Sequence, residues 1–247
     1  IPDTPEILNP AVDGNDIYLT IDSNIQRFVE ASIKEVISKY NPEWMTLTVM
    51  DAKTGEILGT STAPSFDPNI KNIQNYENPL ISTTFEPGST MKIYTYMCAM
   101  ETGLYKGDDL YQSGSIQIGD DKVSDWNRYG WGMLSYDKGF EYSSNVAVST
   151  MMQTILDKQK LRSCLESYGF GEQTGIELSN EASGNISSFN YPIEVANASF
   201  GQGITITAIQ QLQALTIISN NGKMLKPHIV KKIVDSDSNE ILYENAI

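Results

Sequence analysis

Residues 85–103 read FEPGSTMKIYTYMCAMETG, and this stretch constrains the chain more than any other. After Pro87-Gly88 the apolar residues Ile93, Tyr96, Met97 and Met100 recur at helical spacing, so the segment is a helix that the core must bury. The mouth of that helix carries Ser89 and Lys92, which lie three residues apart and therefore on one face. A serine hydroxyl is a poor nucleophile until a neighbouring base takes its proton, and a lysine one turn away can bring its amine to the oxygen. The first turn of a helix, with its unpaired N–H groups and positive dipole end, favours developing negative charge. There the serine's own N–H can serve an oxyanion hole. Burial would lower the lysine's pKa far enough for it to act as a base. The plain alternative is a capping serine beside a solvated lysine. Ser135-Tyr-Asp-Lys138 has the same S-x-x-K spacing, so the pattern alone does not decide. Context favours Ser89, because an apolar helix follows it, whereas GMLSYDKG places an aspartate inside the motif and a glycine after it.

Charge removes several classes of function. Seventeen basic against 31 acidic residues give a net charge of −14 over 247 residues, which argues against a nucleic-acid partner and against a basic membrane-binding face. The length allows one large domain or two small ones. Cys98 and Cys164 sit far apart in apolar helical contexts and read as buried thiols rather than a disulfide or a nucleophile. There is no run of about 18 apolar residues, and IPDTPEILNP is not a signal peptide. A chain that starts without methionine is also what a piece cut from a membrane-anchored parent would look like.

The organisation reads as a strand at IYLTI (17–21), a helix over 23–40 capped by Asp22 or Ser23, and a hairpin. The hairpin joins 45–50 to 56–62 through Asp51-Ala-Lys-Thr-Gly55, with Gly55 at positive φ. A loop runs to Gly88, the apolar helix follows, and 104–142 are mixed with short strands. Helices are expected at 145–156, 161–168 and 207–219, with a polar loop before the last of these. Asn221-Gly222 then turns into the strand HIVKKIVD, and EILYENAI ends the chain.

From Ile17 to about Val234 the stretches LTID, VMDAKTGEIL, APSFDPN, FEPGSTMK, GFEYSSN, GFGEQTGIEL, FGQGITITAIQ and NNGKMLKPHIV follow one another. In this order they resemble the transpeptidase domain of a class B penicillin-binding protein, a superfamily marked by S-x-x-K, S-x-N and K-T-G. The resemblance implies that Ser89 is the acylated nucleophile and Lys92 its proton acceptor. It assigns Ser143-Ser-Asn145 as the second motif, with Ser143 relaying a proton to the leaving amine and Asn145 orienting substrate amides. The other S-x-N matches, at Ser183, Ser188 and Ser219, read as turns. Trp126, before the second motif, either lines the substrate cleft or packs. The only K-T-G, Lys53-Thr54-Gly55, precedes the nucleophile and lies in a hairpin turn, so the motif's role is not transferred to it. The functional K-[ST]-G is expected on a strand after FGQG, and no such motif occurs up to Ile247. By this reading the C-terminal core strands, with one oxyanion N–H, are absent from the chain.

The expected fold class is therefore α/β (α+β), an antiparallel sheet flanked by helices plus an all-helical subdomain. The chain would be one partial transpeptidase domain over 1–247, with a strand, helix and hairpin part in 1–62 and a mainly helical part at about 85–222. The implied function is a peptidoglycan D,D-transpeptidase that cross-links stem peptides through a Ser89 acyl-enzyme and is acylated by β-lactams. Alternatives are a D,D-carboxypeptidase or β-lactamase-type hydrolase, and a non-catalytic scaffold or binding module, since the third motif is missing. The resemblance implies no cofactor and no metal. It implies divisome or elongasome membrane proteins as partners, and a place on the extracytoplasmic face of a bacterial membrane. His228 reads as a packed residue, and Asp235-Ser-Asp-Ser-Asn239 as a polar turn because Glu240 and Ala246 break the calcium-loop pattern.

Overall fold

A computed structural model describes residues 13–70, 73, 75–187 and 189–245. In chain order it shows β1 (Asp16–Leu19), α1 (Ser23–Tyr40), β2 (Met45–Met50), β3 (Ile57–Ala63), α2 (Pro79–Ser82) and β4 (Thr84–Phe85). A 3₁₀ turn (Gly88–Met91) leads directly into α3 (Lys92–Glu101). Then come β5 (Leu110–Gln112), β6 (Ser115–Ile118), β7 (Asp121–Ser124), β8 (Met133–Ser135), α4 (Tyr136–Glu141), α5 (Asn145–Thr154) and α6 (Lys158–Ser167). The chain continues through α7 (Pro192–Ser199), β9 (Ile206–Thr207), α8 (Ala208–Ser219), β10 (Val230–Val234) and β11 (Ile241–Glu244).

Local chemistry accounts for the main elements. Asp22 caps α1, accepting hydrogen bonds from the N–H groups of Asn24 and Ile25, and Asn41 closes the helix in the left-handed region. The hairpin β2–β3 pairs Met45 with Ala63 through Met50 with Ile57. Gly55, at φ +82°, makes its turn possible, and a Cβ there would meet the Lys226 carbonyl at 2.6 Å. The K-T-G of this turn is structural. Asp51 accepts from the Lys53 and Thr54 N–H groups, and the Lys53 amine reaches the Ser219 carbonyl at the end of α8. Thr207 and Gln210 form a capping box that opens α8. The buried Gln210 amide also donates to the carbonyls of Glu172 and Ser183 at 2.7 Å each, tying the GFGEQTG segment and the loop after it to that helix.

β1, β10 and β11 form one antiparallel sheet, and β2–β3 a second. The two meet where the Ile57 N–H donates to the His228 carbonyl and the His228 N–H to the Gly55 carbonyl. His228 is buried at that junction, as its packed reading requires. A small core of Ile57, Leu80, Ile81, Ile176 and Ile209 joins the hairpin to α2 and α8. The larger core is mainly helical, with Tyr111, Ile118, Val123 and Ile206 added from strands, and at α3 Tyr94 packs edge-on against Phe170 at 4.8 Å. Burying each such side chain contributes roughly 1.5–3 kcal/mol. α3 is buried nearly all round, and only its far end differs from expectation: Met100 is exposed.

Four short elements, α2, α7, β4 and β9, were not expected from the sequence. α2 interrupts the loop before Gly88, with Asn78 as its cap. α7 lies in the segment expected to be a polar loop, entered through Pro192 and Glu194. β4 pairs with β9, only two residues each, and so brings the Gly201–Gly203 loop beside Ser89. α6 begins at Lys158 rather than Leu161, because Asp157 caps it. The cysteines are free and buried, and Asp235 closes a turn by accepting from Asp237 and Ser238. Ser188 and Ala246 lie outside the described residues. Among the described residues no cluster of acidic, histidine or cysteine side chains could hold a metal ion, and no helix is long and apolar enough to cross a membrane.

Candidate active site

Ser89 sits in the 3₁₀ turn, one step before α3, rather than inside the α-helix. Glycine shapes this entry. Gly88 has φ +55° and Gly201 has φ +81°, and their backbones touch so closely that a Cβ on Gly201 would collide with the Gly88 carbonyl. The Gly88 N–H donates to the Gly201 carbonyl at 3.0 Å, and Glu86 Oε1 accepts the Gly203 N–H at 2.8 Å. From inside α3, Thr95 Oγ1 donates to the Ser199 carbonyl at 2.8 Å. The FGQG stretch is thus the backbone support of the serine turn.

The Lys92 residue is only 2 % exposed, yet its amine is satisfied. Nζ lies 3.0 Å from Ser89 Oγ, 3.0 Å from Ser143 Oγ and 2.6 Å from the Ser143 carbonyl oxygen. An ammonium has three N–H groups, and these are three acceptors. Once neutral, the amine keeps two donors for Ser143 and turns its lone pair to the Ser89 hydroxyl. Burial lowers its pKa from 10.5 to about 8, and the Asp125 carboxylate opposes that fall. Ser89, by contrast, is exposed, so the pair joins a buried base to an accessible hydroxyl.

Ser143 comes from 54 positions further along the chain. Its φ is +54°, which a non-glycine residue rarely adopts, and this corner points both its carbonyl and its hydroxyl at Lys92. Ser144 Oγ caps α5 through the Ala147 N–H. Asn145 opens that helix, and its Nδ2 donates to the Ser124 carbonyl at 3.2 Å. The structure thus brings Ser89, Lys92 and Ser143 into direct contact and holds Asn145 against β7.

Trp126 is 74 % exposed, so it does not pack into the core. Its Nε1 donates to the Tyr142 carbonyl at 3.0 Å, and its ring meets Trp131 edge-on at 5.3 Å. Trp131 in turn lies 5.0 Å from Tyr142, the residue just before Ser143. These three aromatics form an open wall beside the second motif. Sequence reasoning missed Trp131 and Tyr142, though SDWNRYGWG and FEYSSN display both aromatics. It also missed Asp125, buried under the Ser143 corner, for which an aspartate beside an exposed tryptophan gives no signal. Of the other S-x-N matches, Asn185 pairs its backbone with Thr205, and Ser219 and Asn220 close α8 onto the Ala52 carbonyl. Ser183 lies in the polar loop after GFGEQTG, where its carbonyl serves Gln210.

Comparison with known proteins identifies the family of the chain. A family model described as penicillin binding protein transpeptidase domain matches residues 45–247. Stage V sporulation protein D of Bacillus subtilis is 34% identical over 244 residues, covering 95% of this chain and 38% of its own length. Penicillin-binding protein PbpB of Mycolicibacterium smegmatis is 32% identical, over 96% of this chain and 38% of its own. The chain thus spans well under half the length of these relatives. Among solved structures, penicillin binding protein 2X from Streptococcus thermophilus superposes with a TM-score of 0.85 at 33% identity, over 94% of this chain and 35% of that one. Penicillin binding protein 3 from Mycobacterium tuberculosis complexed with ampicillin gives 0.85 at 29% identity, over 98% of this chain and 54% of that one. With a match over most of its length and a fold shared throughout, the chain belongs to the penicillin-binding protein transpeptidase domain family, in its class B branch.

Proposed function

We propose that the chain carries the acylation site of a peptidoglycan D,D-transpeptidase, with Ser89 as nucleophile and Lys92 as general base. The observation that carries this reading is the buried Lys92 amine, held at 3.0 Å from both serine hydroxyls with its pKa lowered to about 8. As Ser89 Oγ attacks the carbonyl of the terminal D-Ala-D-Ala bond, its proton passes to Lys92. Ser143, bonded to the same amine, hands a proton to the departing D-alanine nitrogen as the C–N bond breaks. The ester on Ser89 is then taken by an amine of a neighbouring stem peptide, which regenerates the hydroxyl. Asn145 and the Trp126–Trp131–Tyr142 wall hold the peptide donor beside the serine turn. A β-lactam carbonyl takes the same path, its ring amide standing for the D-Ala-D-Ala bond.

Several names support the activity: relatives called peptidoglycan D,D-transpeptidase, MrdA of Escherichia coli among them, and neighbours solved with ampicillin and aztreonam. By the same reading the protein works on the extracytoplasmic side of a membrane, anchored to it, among the wall-synthesis proteins of division, elongation or sporulation. Between Ser89 and Ile247 the sequence supplies one clear oxyanion donor, the Ser89 N–H, and no K-[ST]-G after FGQG. A chain carried through such a strand gains a second donor and acylates faster, by roughly 10²–10³.

Two measurements test the proposal. Incubation with a fluorescent penicillin followed by peptide mass spectrometry is expected to find the adduct on Ser89. A donor stem peptide offered with and without an acceptor amine is expected to give transfer product over acid. An adduct elsewhere would overturn the assignment, and acid alone would move the function to the hydrolases.

A further inference from the structure

We infer that Asp125 is a positioning residue of this site: its carboxylate pins the corner that presents Ser143 and sets a fixed negative charge beside the Lys92 amine. The inference rests on the reading of Lys92 as the proton acceptor.

The geometry has two parts. Asp125 is 2 % exposed and follows β7, which carries it beneath the N-terminus of α5. Oδ1 accepts the Ser144 hydroxyl at 2.8 Å and the Val146 N–H at 3.0 Å, while Oδ2 accepts the Gly114 N–H at 2.9 Å. The Asp125 N–H returns to the Gly114 carbonyl at 3.0 Å. One side chain therefore ties the start of β6, its own loop and the first turn of α5 together. Ser143 lies directly before this anchor in a left-handed conformation that is unfavourable for a non-glycine residue and persists only where its surroundings over-determine it. Freed of the anchor, the corner relaxes toward ordinary φ, and the Ser143 carbonyl and hydroxyl turn away from Nζ.

The second part is charge. No lysine or arginine pairs with Asp125 among the described residues, and its hydrogen-bond donors are neutral. Other charges around Lys92 are sparse. The serine turn and α5 contain none, and Lys138 and Glu141 of α4 pair with each other at the surface. Glu86 is committed to the Gly203 N–H, and Glu101 and Lys160 meet at the far end of α3. Tyr94 and Tyr96 on α3 are held neutral by burial, and burial, with the Asp125 charge adding to it, pushes Tyr111 of β5 up to about 12. Asp125 is thus the charge that resists desolvation of Lys92. It keeps the amine a stronger base than burial alone would leave it.

Lysine Cε NMR titration reads the Lys92 midpoint directly, with Lys92→Met identifying the resonance. In Asp125→Asn the midpoint is expected to fall by about 1 pH unit. The pH profile of penicillin acylation should move the same way, and its alkaline plateau should drop roughly threefold because the weaker base takes the Ser89 proton less well. A midpoint identical to that of the parent protein overturns the electrostatic role. Ser144→Ala keeps the carboxylate but removes one bond to it, together with the Oγ cap on the Ala147 N–H. It is expected to leave the midpoint in place, to speed amide exchange over 143–146 and to slow acylation several-fold. Unchanged exchange there overturns the anchoring role, and decides it even where Asp125→Asn fails to fold. A parent protein that takes no penicillin at all would sink the acylation reading, while the Lys92 midpoints would still decide for or against Asp125.

Discussion

The chain contains the same four-residue pattern twice, and the two copies meet opposite fates. At Ser135–Lys138 the serine is the N-cap of α4, its Oγ accepting the Lys138 N–H at 3.2 Å. The lysine side chain, 44% exposed, pairs with Glu141 at 2.5 Å and lies over the Tyr142 ring. At Ser89–Lys92 the serine is not the cap: Pro87 precedes the turn without a side-chain bond, so the Ser89 hydroxyl stays available for the amine. The lysine is buried, and its pKa moves down where that of Lys138 moves up under the influence of Glu141. Spacing sets only which side chains can meet. Whether the hydroxyl is spent on the backbone, and whether water reaches the amine, decides which pair can do chemistry.

The sharpest way to break this comparison is to remove each serine. Ser89→Ala is expected to abolish covalent labelling by a fluorescent penicillin, whereas Ser135→Ala should label within about twofold of the parent protein. Labelling that survives Ser89→Ala would put the nucleophile elsewhere. Next in size is the base. Lys92→Met should slow acylation by roughly 10²–10⁴, the usual worth of a positioned general base. Lys138→Met should leave the rate unchanged, and equal losses for the two lysines would erase the distinction.

The acylation rate of the parent protein should also depend on pH with the sign of a base. Lys92 must be neutral to accept the proton, so the rate should climb about tenfold per pH unit below ~7 and level off above about 8. A flat profile between pH 6 and 8 would remove Lys92 from the step. The same shift acts on stability. The lysine titrates at 10.5 in the unfolded chain and at about 8 in the folded one, so the folded state binds fewer protons between these values. Below pH 8 the full penalty is present, and it fades as pH rises through that window. Lys92→Met should therefore stabilise the fold at pH 7, on the order of 2 kcal/mol after allowing for its lost bonds to Ser143, with the gain shrinking by pH 10. A destabilised variant at pH 7 would show that the three hydrogen bonds outweigh desolvation.

Much of this was legible in the sequence because it was local. The α1 cap at Asp22, the Gly55 turn and the helix after Gly88 each follow from residues within a few positions of one another. The serine–lysine pair is of that kind. What escaped was long-range. α2 and α7 are short and exist through packing rather than periodicity, and β4–β9 is two residues against two. The contact of Gly88 with Gly201 and the place of Asp125 under Ser143 join segments whose sequences carry no mutual signal. Ser143 itself was placed by likeness to a family, and its left-handed corner has no mark in the letters SSN.

The smallest expected effect sharpens the comparison from the other side. If Ser135 is only a cap, Ser135→Ala should cost what a cap is worth, about 1 kcal/mol, through the orphaned Lys138 N–H at the start of α4. For a chain of this size that is a fall of roughly 2–4 °C in Tm. Restoring a side-chain acceptor, in Ser135→Asp, should recover the loss, since aspartate caps as well as serine and its charge suits a helix N-terminus. The corresponding change at the other copy has a different signature. Ser89→Ala removes no cap, so Tm should hold within about 1 °C while labelling disappears, and Ser89→Asp should restore nothing. Thermal melts and penicillin labelling on the four variants separate the two roles. A Tm loss at Ser89 equal to that at Ser135, with both rescued by aspartate, would mean that the two serines are the same structural device and that the buried lysine alone makes the difference.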